Sequence, residues 1–350
     1  MTRPGFRLAL LATALALVVV TLGAYTRLTH AGLGCPDWPG CYGFIAVPAS
    51  EAQLAHAQLH FPHAPVEVDK GWSEMIHRYF AAGLALTILL LNTQAWRLRH
   101  QPGQPLKLPL LILALVVVQA AFGMWTVTLK LWPQVVVTHL LGGFATLSLL
   151  MILTLRLSGI GPAQERYHAR LRRLARTGLL LVVMQIALGG WVSANYAAMA
   201  CTDLPTCQGQ WWPDADFANG FHVNQHIGPN YLGGRLDSEA RTAIHITHRI
   251  GALLVVLTLS TLAWQLHRAG LRKLAAVLIL VVVTQFGLGL SNVWLHLPLA
   301  VALAHNAGGA VLLLSVVLIN YRLARAATPL PTQATSLNGF RFGTLSRRMR

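Results

Sequence analysis

Charge is scarce in this chain. Only 11 % of its 350 residues are charged and only 11 are Asp or Glu, against 55 % hydrophobic residues. That balance excludes an ordinary soluble domain, in which about a quarter of the residues carry charge. Cysteine is scarce as well, with four residues in all, too few for a disulfide-built scaffold. Long apolar runs are what the chain has in abundance. Windows of about 20 apolar residues, enough to cross a bilayer, occur at roughly 7–28, 73–96, 107–129, 134–156, 174–196, 242–265, 272–293 and 299–322. Arg3 and Arg7 precede the first window, as in a signal peptide. Its apolar run is longer than a signal core, though, and no small-x-small cleavage site follows it, so it reads as a retained helix.

The formal net charge of +16 invites a nucleic-acid reading, but its distribution removes that. With the N-terminus inside, 20 of the 27 basic residues fall in inner segments. The outer side keeps only Arg27, Lys70, Arg78, Lys130, Arg235, Arg241 and Arg249. This is the positive-inside bias, and it predicts both termini in the cytoplasm and no nucleic-acid partner. Eight of the ten Trp lie at or beyond the outer helix ends, where an interfacial belt touches membrane lipid. The polar segment TPLPTQATS and the terminal RRMR predict a disordered tail.

The chain repeats itself. A shift of 166 positions brings Gly23 onto Gly189, Cys35 onto Cys201, Pro39 onto Pro205 and Cys41 onto Cys207. The same shift brings Gln119 onto Gln285, Gly123 onto Gly289, His139 onto His305, and Gly142-Gly143 onto Gly308-Gly309. His77-Arg78 meets His248-Arg249 at a shift of 171. Matches in Cys, His and Pro are not supplied by apolar composition. Each copy holds four helices, an even number, so both copies lie the same way up. The fold class predicted is therefore an all-α integral membrane protein of eight transmembrane helices. They form two tandem four-helix bundles related by a pseudo-two-fold axis along the membrane normal. The expected boundaries are an N-terminal bundle over 1–157, a cytoplasmic linker over 158–173, a C-terminal bundle over 174–323 and a cytoplasmic tail over 324–350. The segments QAAFG, QIALGG and QFGLG carry small residues that let helices approach closely in lipid.

Of fifteen His, most sit in loops or near helix ends, including His56, His60 and His63 in the first outer loop. His77, His139, His248 and His305 differ, because each lies about four to seven residues inside a helix entering from the outer face. At about 1.5 Å per residue the four share one depth. Ionisable groups inside a membrane are costly and point to function. Iron held between two neutral imidazoles from facing helices accounts for one pair in each repeat: His77 with His139, and His248 with His305. No C-x-x-C-H is present, so any haem is not attached through thioethers.

Arg78 and Arg249 follow the first ligand of each pair and are candidate partners for haem propionates. Snorkelling to lipid headgroups is the bland alternative. Glu74 lies three residues before His77 on the same face, where the second copy has His245. A carboxyl beside only one site suits a reaction centre, as a proton acceptor or charge stabiliser, and an ion pair with Arg78 is the structural alternative. The four Cys form two C-x5-C loops, CPDWPGC (35–41) and CTDLPTC (201–207). On an oxidising outer face these predict the disulfides Cys35–Cys41 and Cys201–Cys207. A zinc site built from all four and a redox-active pair remain as alternatives.

With the repeat, the paired His and the E-x-x-H-R motif in place, residues 8–322 resemble the heme A synthase family. TRLTHAG (26–32) is similar to the family's first-helix exit, and Glu74 through Arg78 to its Glu-x-x-His-Arg. His139, His248 and His305 fall at its later His positions. The matched Cys pairs resemble its cysteine-containing bacterial branch, while His30-Ala31 departs from the small or polar residues expected there. The resemblance implies oxidation of a methyl group of heme O to a formyl group, giving heme A for terminal oxidases. It implies heme O as substrate between His77 and His139, with Glu74 beside it. Heme b, held by His248 and His305, would be the electron-transfer cofactor. A heme O synthase would be the supplier, and the location the bacterial inner membrane. Composition and spacing alone leave a second class open, a bis-His diheme b-type electron carrier.

Overall fold

The structure, a computed structural model, describes residues 2–161 and 169–324. Much of the linker and nearly all of the tail expected from the sequence lie outside the described residues. Among the described residues all regular structure is helical. The elements are α1 (Phe6–Leu28), α2 (Glu51–His60), α3 (Val68–Arg97), α4 (Lys107–Thr128), α5 (Pro133–Leu157), α6 (Ala169–Ala194), α7 (Phe217–Gly220), α8 (Ser238–Arg268), α9 (Arg272–Trp294) and α10 (Leu299–Leu323). All but α2 and α7 are long and apolar enough to cross a membrane, and they match the eight windows read from the sequence.

Two of the long helices on the cysteine-loop side, like α6 at the opposite side, start earlier than their apolar windows. α3 begins at Val68 with Asp69 in its first turn. α8 begins after Asp237, whose carboxylate accepts from the Ala240 amide at 2.9 Å. An acidic group stabilises the positive end of a helix dipole, so both helices rise above the apolar slab before entering it. α2 departs from the loop expected around His56 and His60. Ser50 and Gln53 form a capping box, which satisfies the free amides of a helix start and turns the segment helical. His56 and His60 then stack one turn apart, with ring centroids 4.0 Å apart.

Each set of four long helices closes into a ring. In the first, α1 and α4 each pack against both α3 and α5; in the second, α6 and α9 each pack against both α8 and α10. The rings meet where α1 touches α10, α5 touches α6 and α5 touches α10. Matched polar contacts cross the helices. The Thr13 and Thr154 hydroxyls are 2.9 Å apart between α1 and α5. Asn320, 166 positions after Thr154, donates to the Ala175 carbonyl at 2.9 Å between α10 and α6. Such bonds and small residues hold helices together where lipid removes the hydrophobic drive between them. The stripe Ala9, Ala12 and Ala16, fully enclosed, is the small-residue face of α1.

The packed core occupies one half of each bundle. It is built from Leu84, Ile88 and Leu91 of α3, Leu147 through Leu157 of α5, Leu259 through Leu266 of α8 and Val316 through Leu323 of α10, with partners from the other helices. All of these lie toward the ends away from the cysteine loops. The four candidate histidines lie in the other half, partly accessible, between this core and smaller buried clusters that include Met75 in the first bundle and Trp191 and Ile244 in the second.

Candidate functional site

Above each bundle a short loop is closed by a disulfide, Cys35–Cys41 in the first copy and Cys201–Cys207 in the second. The loops are built alike. Asp37 accepts from the amides of Tyr42 at 2.6 Å and Gly43 at 2.7 Å. Asp203 accepts from Gln208 at 2.7 Å and Gly209 at 3.0 Å, and from the Thr206 hydroxyl. Those bonds favour the ionised form and hold the Asp203 carboxyl at about 2, led by the Thr206 hydroxyl.

The helix below clasps each loop. Glu74, only 4 % exposed, accepts from the Cys35 amide at 3.0 Å and pairs with Arg78 at 2.5 Å. Arg78 also donates to the carbonyls of Asp37, at 3.0 Å, Pro39 and Gly40. In the second copy His245 takes the place of Glu74 and accepts from the Cys201 amide at 3.4 Å. Arg249 donates to the carbonyls of Thr206 at 2.8 Å, Cys201 at 2.9 Å and Asp203 at 3.0 Å. In this structure the two arginines thus hold loop carbonyls, and Glu74 and His245 perform one structural task with different chemistry. Glu74 alone brings a carboxylate.

The four imidazoles sit one turn deeper or at the matching depth on the partner helix, each against a glycine of a neighbouring helix. A Cβ on Gly23 would lie 3.0 Å from His77 Cε1. On Gly123 it would lie 3.4 Å from His139, on Gly189 3.3 Å from His248, and on Gly289 3.2 Å from His305. Real Cβ atoms rarely come this close, so each glycine is the wall of a ring-sized slot. The residue four before each glycine faces the same ring. The carbonyls of Val19, Gln119 and Gln285 face His77, His139 and His305. The Gln185 amide nitrogen lies 3.0 Å from His248 Nδ1 and donates to the His248 carbonyl at 2.9 Å. Nδ1 of His77, His139 and His305 is buried with no hydrogen bond of normal geometry, although the residues as wholes stay partly accessible.

His77 and His139 lie within electrostatic reach of one another, as do His248 and His305. Two imidazoles per bundle, backed by glycine and set between the main packed core and the smaller apolar clusters beneath the loops, fit an iron porphyrin held by one ligand on each face. The glutamines were legible in the sequence only as part of a small-residue theme. The spacing Q-x3-G in QAAFG, QIALG and QFGLG was the signal, with glycine behind the imidazole and glutamine one turn along the same helix. The glutamine amides also fill the space over Gly142, Gly251 and Gly308.

Residues 6–317 match the cytochrome oxidase assembly protein family. The chain is 48 % identical to the heme A synthase of Shewanella oneidensis over 310 residues, covering 88 % of this chain and 93 % of that protein. The chain belongs to the heme A synthase family. The heme A synthases of Chelativorans sp. and Rhizorhabdus wittichii lie further off. They are 29 % identical over 334 residues and 26 % identical over 328 residues, and each comparison covers close to nine-tenths of both chains. The family model thus reaches from the start of α1 into α10.

Proposed function

We propose that this chain oxidises the methyl group of heme O to a formyl group and so makes heme A for a terminal oxidase. The observation that carries this is the pair of matched imidazole slots, one in each bundle, inside a chain of this family. The substrate lies in the N-terminal bundle (1–157) between His77 and His139. His248 and His305 would hold heme b in the C-terminal bundle (174–323), where it would supply one-electron transfer. Two hydroxylations take four electrons from the methyl carbon to an external oxidant, and the resulting gem-diol loses water to leave the aldehyde.

Glu74 puts a carboxylate where the second site has His245. It sits one turn outside His77 and takes up or gives up a proton at Oε1 or Oε2 as the methyl carbon is oxidised. Arg78 and Arg249 put cationic groups at the rim of each site. Their remaining donors suit haem propionates while the others keep the disulfide loops closed. Burial of Glu74 against Arg78 keeps bulk water from the carboxylate.

The bundles are related by a pseudo-two-fold axis along the membrane normal, with both termini in the cytoplasm and the disulfide loops on the outer face of the bacterial inner membrane. Supporting the axis are contacts between equivalent positions. Arg27 donates to the Ser193 carbonyl, and His30 stacks on Tyr196, each pair 166 residues apart. A residue meeting its own counterpart is what a two-fold interface produces. A heme O synthase supplies the insoluble substrate.

The test is expression with and without a source of heme O, followed by pigment extraction. Heme A should accumulate only with the source. Extracts that hold heme b alone in both sites would return the protein to the electron-carrier class.

A further inference from the structure

Three of the four imidazole slots share a clamp that the fourth lacks. Behind His139, His248 and His305, the glutamine one turn before the backing glycine lays its amide over a glycine three residues after the histidine. The pairs are Gln119 over Gly142, Gln185 over Gly251 and Gln285 over Gly308. In two of them the amide also donates to the histidine's own carbonyl, at 2.9 Å for Gln185 and 3.0 Å for Gln285. A glutamine anchored this way ties the helix bearing the ligand to the helix behind it. At His77 the corresponding residues are Val19 and Phe80, an aliphatic side chain with no donor and an aromatic one that is 42 % exposed.

We infer that His77 is the exchangeable ligand, the one that lets go of the porphyrin when substrate enters and product leaves, while the three clamped imidazoles stay put. This rests on the haem reading above. An enzyme that turns over a porphyrin needs one weak iron bond in its substrate site and none in its cofactor site. The single unclamped slot falls in the bundle assigned to substrate. Residues behind a metal ligand set how firmly it is presented, typically by 10–100-fold in affinity.

The test uses the full chain loaded with porphyrin in both bundles, reduced, and mixed with carbon monoxide. Carbon monoxide binds only as fast as an axial imidazole leaves. The unaltered protein should show one fast and one slow or absent phase per chain. Val19→Gln with Phe80→Gly, which installs the fourth clamp, should slow the fast phase by about tenfold or more and leave the other unchanged. Gln185→Val, which opens a clamp in the other bundle, should speed the slow phase while the thermal unfolding midpoint barely moves. An unchanged fast phase in the double variant, or an unchanged slow phase in Gln185→Val, overturns the inference. A loaded chain carrying one porphyrin instead of two removes the haem reading itself.

Discussion

His30 lies flat on Tyr196, with ring centroids 5.5 Å apart and ring planes 9° from parallel. The two residues are counterparts in the duplicated sequence, and both have left-handed backbone at the exit of a first helix. Arg27 sits over the same Tyr196 ring at 4.1 Å and donates to the Ser193 carbonyl. One residue that seemed out of place in its motif is thus half of the joint between the two bundles.

That joint can be cut selectively. Arg27→Ala removes a charge-assisted bond and a cation–π contact and should cost about 2 kcal/mol of stability. Tyr196→Phe keeps the ring and should cost well under half of that. Thermal unfolding in detergent measures both. Equal losses would mean that the hydroxyl matters and the stack does not.

Glu74 carries two duties that substitution can separate. Glu74→Gln keeps an acceptor for the Cys35 amide and for Arg78 Nη2, whereas Glu74→Ala leaves both of those buried donors without one, at about 3 kcal/mol. Both variants should stop heme A formation, and only the alanine should lower the unfolding temperature strongly. Heme A made at the normal rate by Glu74→Gln would leave the carboxylate with the loop alone.

The glycine walls predict a rank order. Replacement by alanine should displace the imidazole most at Gly23, where the new Cβ would stand 3.0 Å from the ring, and least at Gly123, at 3.4 Å. Gly289 and Gly189 fall between. Porphyrin bound per chain, read by absorbance, should fall in that sequence, with losses confined to the bundle altered.

Acid should loosen the second disulfide loop through Asp203. Its carboxyl is held at about 2, below its ordinary value, so it contributes stability that is present above about 4 and lost as pH falls through 2. Asp203→Asn should therefore unfold at a lower temperature than the unaltered chain at pH 7. The gap should narrow below pH 4. A gap of constant size across that range would show the ionised form to be irrelevant.

The eight spans and the four histidines were legible because both follow simple rules. Apolar length marks a span, and an ionisable residue inside one stands out against its surroundings. The disulfide pairing was legible because each loop holds only two cysteines. The glutamine clamps were harder to see, since Gln119 meets Gly142 only when two helices are placed side by side. No spacing along one helix reports a contact with another. The role of Arg78 depends likewise on where the carbonyls of Asp37 and Gly40 turn, which the loop sets and the helix pattern does not. α2 was missed because its histidines drew attention from the capping pair Ser50 and Gln53.

The distribution of the core has a consequence for assembly. Because Ile88, Leu150, Leu262 and Val316 pack toward the helix ends away from the disulfide loops, the helices can find one another by contacts that involve no pigment. Insertion and bundle formation need not wait for iron or porphyrin.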